Sequence, residues 1–146
     1  MAQQDAVTLL EDDHIQVERL FAQYKSAGDA TAKRMLTQRI CHELSVHTRI
    51  EEEIFYPAFR QATGNDALLQ DAEREHREAR ELIAKLEAKQ VDDRVMLELE
   101  GAIAHHIGDE RQKMFPQARK TRGLDLLQLG QQLEQRKSEL LAGHPA

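Results

Sequence analysis

Along most of the chain, apolar residues return every three or four positions, the period of an amphipathic helix with one buried face. Four such seams can be traced. The first runs Val7, Leu10, His14, Val17, Phe21, Tyr24, and the second Leu36, Ile40, Leu44, His47, Glu51, Ile54, Ala58. The third runs Leu69, Ala72, His76, Ala79, Ile83, Leu86, and the fourth Met96, Leu99, Ile103, His106, Glu110, Met114. The breaks between them are short: SAGDA around Gly28, TGND around Gly64, KQVDD around Val91 and TRG at Gly123. After the last break, LDLLQLGQQLEQRKSELL reads as a shorter helix in which Gly130 is a weak point. The pattern predicts an all-α fold: an up-down-up-down four-helix bundle with an appended short C-terminal helix at about residues 124–142.

Each seam spends one buried position on a histidine, and the second and fourth add a glutamate four residues later. In an up-down hairpin, two residues lie level when they are equally far from the connecting turn. Glu51 lies 13 residues before Gly64 and His76 lies 12 after it; His76 and His106 are each 15 from Val91. His14 lies 14 before Gly28 and His47 19 after, part of that excess being loop. His14, His47, Glu51, His76, His106 and Glu110 therefore converge on one layer of the core. A buried polar group without a partner costs on the order of 1 to 3 kcal/mol, against a total stability of roughly 5 to 15 kcal/mol, so this layer needs compensation. A proton-shared His/Glu network would supply it, and so would metal. Four imidazoles and two bridging carboxylates suit two first-row ions roughly 3.5 to 4 Å apart. Mixed N/O donors with open positions point to iron, ahead of manganese or zinc.

Composition narrows the class. The chain has 146 residues, 40% hydrophobic and 32% charged, with a net charge of −6 and no Lys/Arg block, which argues against a nucleic-acid or anionic-membrane partner. Cys41 is the only cysteine, the N-terminus is acidic where a signal peptide is basic, and no apolar run reaches membrane-spanning length, so a cytoplasmic protein is expected. The sequence also repeats. HTRIEEEIFYPAFRQATG from His47 and HIGDERQKMFPQARKTRG from His106 share Glu at +4, Pro at +10, Arg at +13 and Gly at +17. A single domain over 1–146 is expected, built from two pseudo-repeated hairpins, about 5–64 and 66–123, plus the last helix.

With H, HxxxE, H and HxxxE on four successive helices, the chain resembles the hemerythrin-like HHE cation-binding domains over essentially its whole length. The resemblance implies a non-haem di-iron centre with His14, His47, Glu51, His76, His106 and Glu110 as ligands. Glu51 and Glu110 would bridge, with an oxo or hydroxo group between the irons. The oxygen-carrying hemerythrins resemble HxxxH in the third helix, whereas Arg80 follows His76 at +4 here, and the carriers' HxxxxD is replaced. That departure implies an additional open or water-filled position on one iron and argues against plain reversible oxygen carriage.

Other residues have plainer readings. His42 lies off its seam and reads as solvated, His144 lies in a tail where disorder is the default, and Cys41 reads as a small buried residue. His105 stands in an HxxxxE with Glu110, but the repeat favours His106, leaving His105 as surface or outer support. A ferritin-like scheme would use Glu11-x-x-His14 and Glu73-x-x-His76, yet it leaves His47 and His106 buried without a task; Glu11 and Glu73 fit better as acceptors for the outer imidazole N–H. Pro57 and Pro116 read as helix ends, or else as loosened turns gating access beside Phe55, Tyr56 and Phe115. Tyr56 is a further candidate to coordinate an iron, but its offset of five from Glu51 points it off the ideal seam. With no Ser/His/Asp or Cys/His nucleophile and no phosphate loop, chemistry falls to the metals. The expected role is to sense, scavenge or detoxify O2, NO or H2O2, in a monomer or weak homo-oligomer. The alternatives are a peroxide-decomposing or oxygen-activating enzyme, and an iron store or iron-centre repair protein. The cysteine-bearing accessory domain of some repair relatives is not in the sequence, which counts against the last.

Overall fold

Aspartate or asparagine stands at each predicted break, and there it caps the helix that follows. The computed structural model describes residues 4–143, with no strand among them, in the order α1 (Ala6–Ser26), α2 (Ala30–Ile50), α3 (Tyr56–Thr63), α4 (Asp66–Lys89), α5 (Asp93–Asp109), α6 (Phe115–Lys120) and α7 (Leu126–Ala142). The side chains of Asp5, Asp29, Asn65, Asp92 and Asp125 accept the backbone N–H three residues on, satisfying donors that the first helical turn leaves free. Gly64 closes α3 in the left-handed conformation, φ 66°, which glycine adopts without penalty. His144 lies outside the described residues.

Two of the rods are interrupted without being broken. Glu51–Phe55 is a π-helical turn joining α2 to α3, and Glu110–Met114 is another joining α5 to α6. Tyr56 N–H bonds back to Glu51 O and Phe115 N–H to Glu110 O, five residues away instead of four. Pro57 and Pro116 follow at once, so neither proline ends its helix. Each sits where the ladder returns to its normal spacing, at a point that can do without an N–H.

The wide turn also moves the seam. After Glu51 the expected Ile54 and Ala58 are only partly buried, while Phe55, Tyr56 and Phe59 take the interior.

Helix α1 packs on α2, α2 on α4, α4 on α5, and α6 returns to α1, while α7 lies across α1 and α2. The apolar core falls into two clusters. One holds Leu10, Ile50, Phe55, Phe59, Leu69, Met114 and Leu133; the other holds Val17, Leu20, Ile40, Leu44, Ile83, Leu99 and Ile103. The histidine layer lies between them. Gly130 is not the weak point of α7 but its contact point: a Cβ there would come within 2.1 Å of the Gln4 carbonyl oxygen. No helix among the described residues is long and apolar enough to cross a membrane.

Candidate metal centre

The six seam residues His14, His47, Glu51, His76, His106 and Glu110 come together, none more than 5% exposed. The imidazoles form two edge-on pairs, His14 with His47 at 5.0 Å between centroids and His76 with His106 at 4.6 Å. The glutamates lie between the pairs. Glu51 Oε1 is 3.4 Å from His47 Nε2, 3.0 Å from His76 Nε2 and 3.6 Å from His106 Nε2. Glu110 Oε1 is 2.9 Å from His14 Nε2 and 3.4 Å from His106 Nε2. Two donor sets result, sharing Glu51: His14, His47, Glu51 and Glu110, and Glu51, His76 and His106.

Each outer ring nitrogen faces a carboxylate. His14 Nδ1 lies 3.2 Å from Glu11, His47 Nδ1 3.0 Å from Asp13, His76 Nδ1 2.6 Å from Glu52 and His106 Nδ1 2.7 Å from Glu75. An ionised carboxylate only accepts, so all four Nδ1 atoms carry hydrogen and all four Nε2 atoms point their remaining site inward. Glu11 serves as the sequence indicates. Glu73 does not: it is a surface residue near Arg60, and Glu52 takes His76 instead. The repeat explains the exchange, since the position equivalent to Glu52 in the second half is Arg111, which cannot accept but holds Glu11 with two hydrogen bonds. Arg80, in place of the carriers' fifth imidazole, grips Glu52. Neither Glu11 nor Glu73 enters the cluster, so the ferritin-like scheme is not formed.

The π turn brings in Tyr56, which the sequence pattern placed off the seam. Its ring stacks on His76 at 5.4 Å, as Phe115 stacks on His14 at 5.7 Å in the other half. Tyr56 Oη donates to Glu110 Oε2 at 2.8 Å and lies 3.1 Å from Glu51 Oε1 and 3.2 Å from His76 Nε2. The phenol thus lies against His76, on the α4 side of the layer.

Without metal this arrangement can be balanced only by protons. Burial opposes a charged His47, but Glu51 and Asp13 outweigh it and raise its pKa to about 10. Burial likewise opposes charge on His106 and His76, and the Glu110 charge and the Glu51 hydrogen bond respectively prevail, raising both. Burial works against an ionised Glu51, yet His47 beside it holds the carboxyl well below its ordinary range. Burial and the charges of Glu110 and Glu51 push the Tyr56 phenol well above its usual value. Even so, His14 Nε2 and Glu110 Oε1, though 2.9 Å apart, do not form a hydrogen bond, and His47 Nε2 and Glu51 Oε2 are likewise buried without one. In a native core such orphans are rare and call for an explanation. A pair of cations satisfies all four, so the residues fit the group.

Residues 5–118 match the profile of the hemerythrin HHE cation-binding domain. The chain belongs to this family. The crystal structure of a hemerythrin HHE cation-binding domain-containing protein from Mycobacterium kansasii is similar with a TM-score of 0.80 at 21% identity, covering 95% of this chain and 88% of that one. Among curated proteins, none is similar enough to count as a match. As an HHE domain, the chain is a cation-binding helical bundle with a buried His/Glu cluster.

Two described histidines of this HHE domain stay outside the cluster. His42 is half-buried rather than solvated, in a groove with Cys41, whose thiol burial pushes up to about 12. His105 is at the surface, its side chain 69% exposed.

Asp13, Glu52, Glu75 and Tyr56 are the residues that the apolar pattern does not announce. The first three each sit next to a seam His or Glu, where a helical side chain turns toward the adjoining rod.

Proposed function

We propose that His14, His47, Glu51, His76, His106 and Glu110 hold two iron ions, with Glu51 and Glu110 shared between them. The protein then senses, scavenges or detoxifies a small oxidant: O2, NO or H2O2. The observation that carries this reading is the inward convergence of four Nε2 atoms whose Nδ1–H groups are already committed to carboxylates. Iron bound there supplies Lewis acidity and electrons to ligands of diatomic or peroxide size. The chain's own residues do the rest. Near-complete burial keeps larger substrates out, the two apolar clusters flank the layer, and the four outer carboxylates hold the imidazoles in one tautomer.

Tyr56 supports a second reading, an enzyme that disproportionates hydrogen peroxide to water and oxygen. It places a phenol oxygen at the centre, hydrogen-bonded to Glu110 and within the layer where a peroxide-sized ligand would be held. The same clamped geometry argues against an iron store, which must release its ions readily.

Elemental analysis of the purified protein is expected to give two irons per chain. Glu51→Ala and His106→Ala should each retain at most one, while full loading of both variants would refute the ligand set. Absorption spectra of the iron protein under air, NO and H2O2 then identify the ligand, and sustained H2O2 turnover by the iron-loaded but not the stripped protein selects the enzyme.

A further inference from the structure

Three of the four outer carboxylates are neutralised by a cationic side chain, on the oxygen away from the histidine for Asp13 and Glu52 and on both oxygens for Glu11. Glu11 takes Arg111, Asp13 takes Lys137 at 2.6 Å, and Glu52 takes Arg80. Glu75 is the exception, although at 6% exposure it is the most enclosed at the residue level after Glu51 and Glu110 among the buried carboxylates. Its Oε1 accepts from His106, but its Oε2 is buried with no hydrogen-bond partner. Facing that oxygen are His105 Nε2 at 3.3 Å and, 3.4 Å beyond it, Asp109 Oδ2. An imidazole, cationic only when protonated, and behind it a second carboxylate stand where the other three relays have a permanent positive charge.

The internal repeat shows how the gap arises. Asp13 and Glu75 are equivalent, each one residue before a seam histidine and each serving the other histidine of its pair. Lys137 reaches Asp13 from α7, which packs chiefly on the α1–α2 side. On that covered side, the residues equivalent to His105 and Asp109 are Val46 and Ile50, both buried. On the uncovered side the same two helical positions carry an imidazole and a carboxylate, four residues apart on one face.

We infer that Glu75, His105 and Asp109 form a third cation site, separate from the buried pair, that takes a divalent first-row ion such as Zn2+, Mn2+ or Fe2+. One imidazole nitrogen and two carboxylate oxygens within 4.8 Å of one another are a fitting donor set. Bonds of about 2.1 Å in tetrahedral geometry place ligand atoms about 3.4 Å apart, which agrees with the spacing found. The exposed His105 leaves the remaining positions to water. The site does not depend on the assignment of iron to the centre, but it adjoins that centre through one carboxylate, Glu75, whose other oxygen orients His106.

Calorimetric titration of the as-isolated protein with Zn2+ tests this, with the iron content measured alongside. One equivalent is expected to bind without displacing iron. His105→Ala and Asp109→Asn, both at accessible positions and checked for native helicity by circular dichroism, should each weaken that equivalent at least tenfold while leaving the iron content unchanged. A titration showing no such equivalent, as a proton on His105 filling the gap would produce, overturns the site. So does an equivalent that both variants leave intact. Loss of the buried irons would instead register in the elemental analysis, so failure of the central assignment is distinguishable from failure of this one.

Discussion

Tyr56 carries a single O–H into a layer otherwise composed of imidazoles and carboxylates, and what it meets there sets its behaviour. In the metal-free protein it must remain a neutral donor, since burial and two adjacent glutamates push its ionisation far upward. A ferric ion held beside Tyr56 by the neighbouring Glu51 and His76 would reverse that preference, because a trivalent cation favours phenolate. Oxidised iron-loaded protein is therefore expected to show a visible phenolate-to-iron charge-transfer band that Tyr56→Phe abolishes. The phenylalanine keeps the stack on His76. No such band in the wild type, or one that survives the substitution, would remove Tyr56 from the ligand sphere. In the stripped protein the same variant leaves Glu110 Oε2 without its donor, and a loss of about 1 to 3 kcal/mol in denaturant unfolding is expected.

At the scale of elements, what the chain discloses depends on whether a feature is local. Helix existence, the four breaks and the depth of the six-residue layer follow from periodicity and Asx caps, which are written within a few residues of one another. The π turns are not so written. Each adds one residue to a turn, so Tyr56 at +5 from Glu51 occupies the place that +4 periodicity assigns elsewhere, and Phe115 does the same after Glu110. A Pro directly after an aromatic in both repeats is the only trace. Asp13, Glu52 and Glu75 escape for another reason, because their partners lie on neighbouring helices and inter-helix reach has no sequence period. Gly130 shows the converse risk, in which a local rule misleads. Glycine inside a helix ordinarily costs about 0.5 to 1 kcal/mol relative to alanine, so Gly130→Ala would stabilise an isolated α7. Here the added methyl runs into the backbone at Gln4 and Asp5, which cannot swing aside like a side-chain tip. Overpacking of this kind costs about 1 to 3 kcal/mol. Gly130→Ala is thus expected to lower the melting temperature, and an equal or higher value would show that the start of α1 yields to α7.

Over the whole molecule, one layer of ionisable groups divides the apolar core in two, so its state of charge decides how firmly the four rods are joined. With metal absent, the layer is held by protons. His47 has its pKa raised in the folded state from 6.5 to about 10, so its contribution is complete below pH 6.5 and fades as pH rises toward 10. Glu51 is shifted the other way, its contribution being complete above pH 4.5 and lost on acidification. The stripped protein should therefore gain most from this pair between pH 4.5 and 6.5 and weaken on either side. Metal binding replaces those protons, and its competition with them eases as pH rises. Free metal at 100 times its dissociation constant adds about 2.7 kcal/mol of stability. For a chain of this size that corresponds to a rise of roughly 6 to 10 °C in melting temperature. The difference between iron-loaded and chelator-stripped protein is accordingly expected to be small near pH 5.5 and to widen steadily toward pH 9, measured by calorimetry in matched buffers. A difference that stays level across that range would mean that protons and metal do not share these six side chains, and a stripped protein that melts no lower at pH 9 than the loaded one would mean that cations do not join the rods.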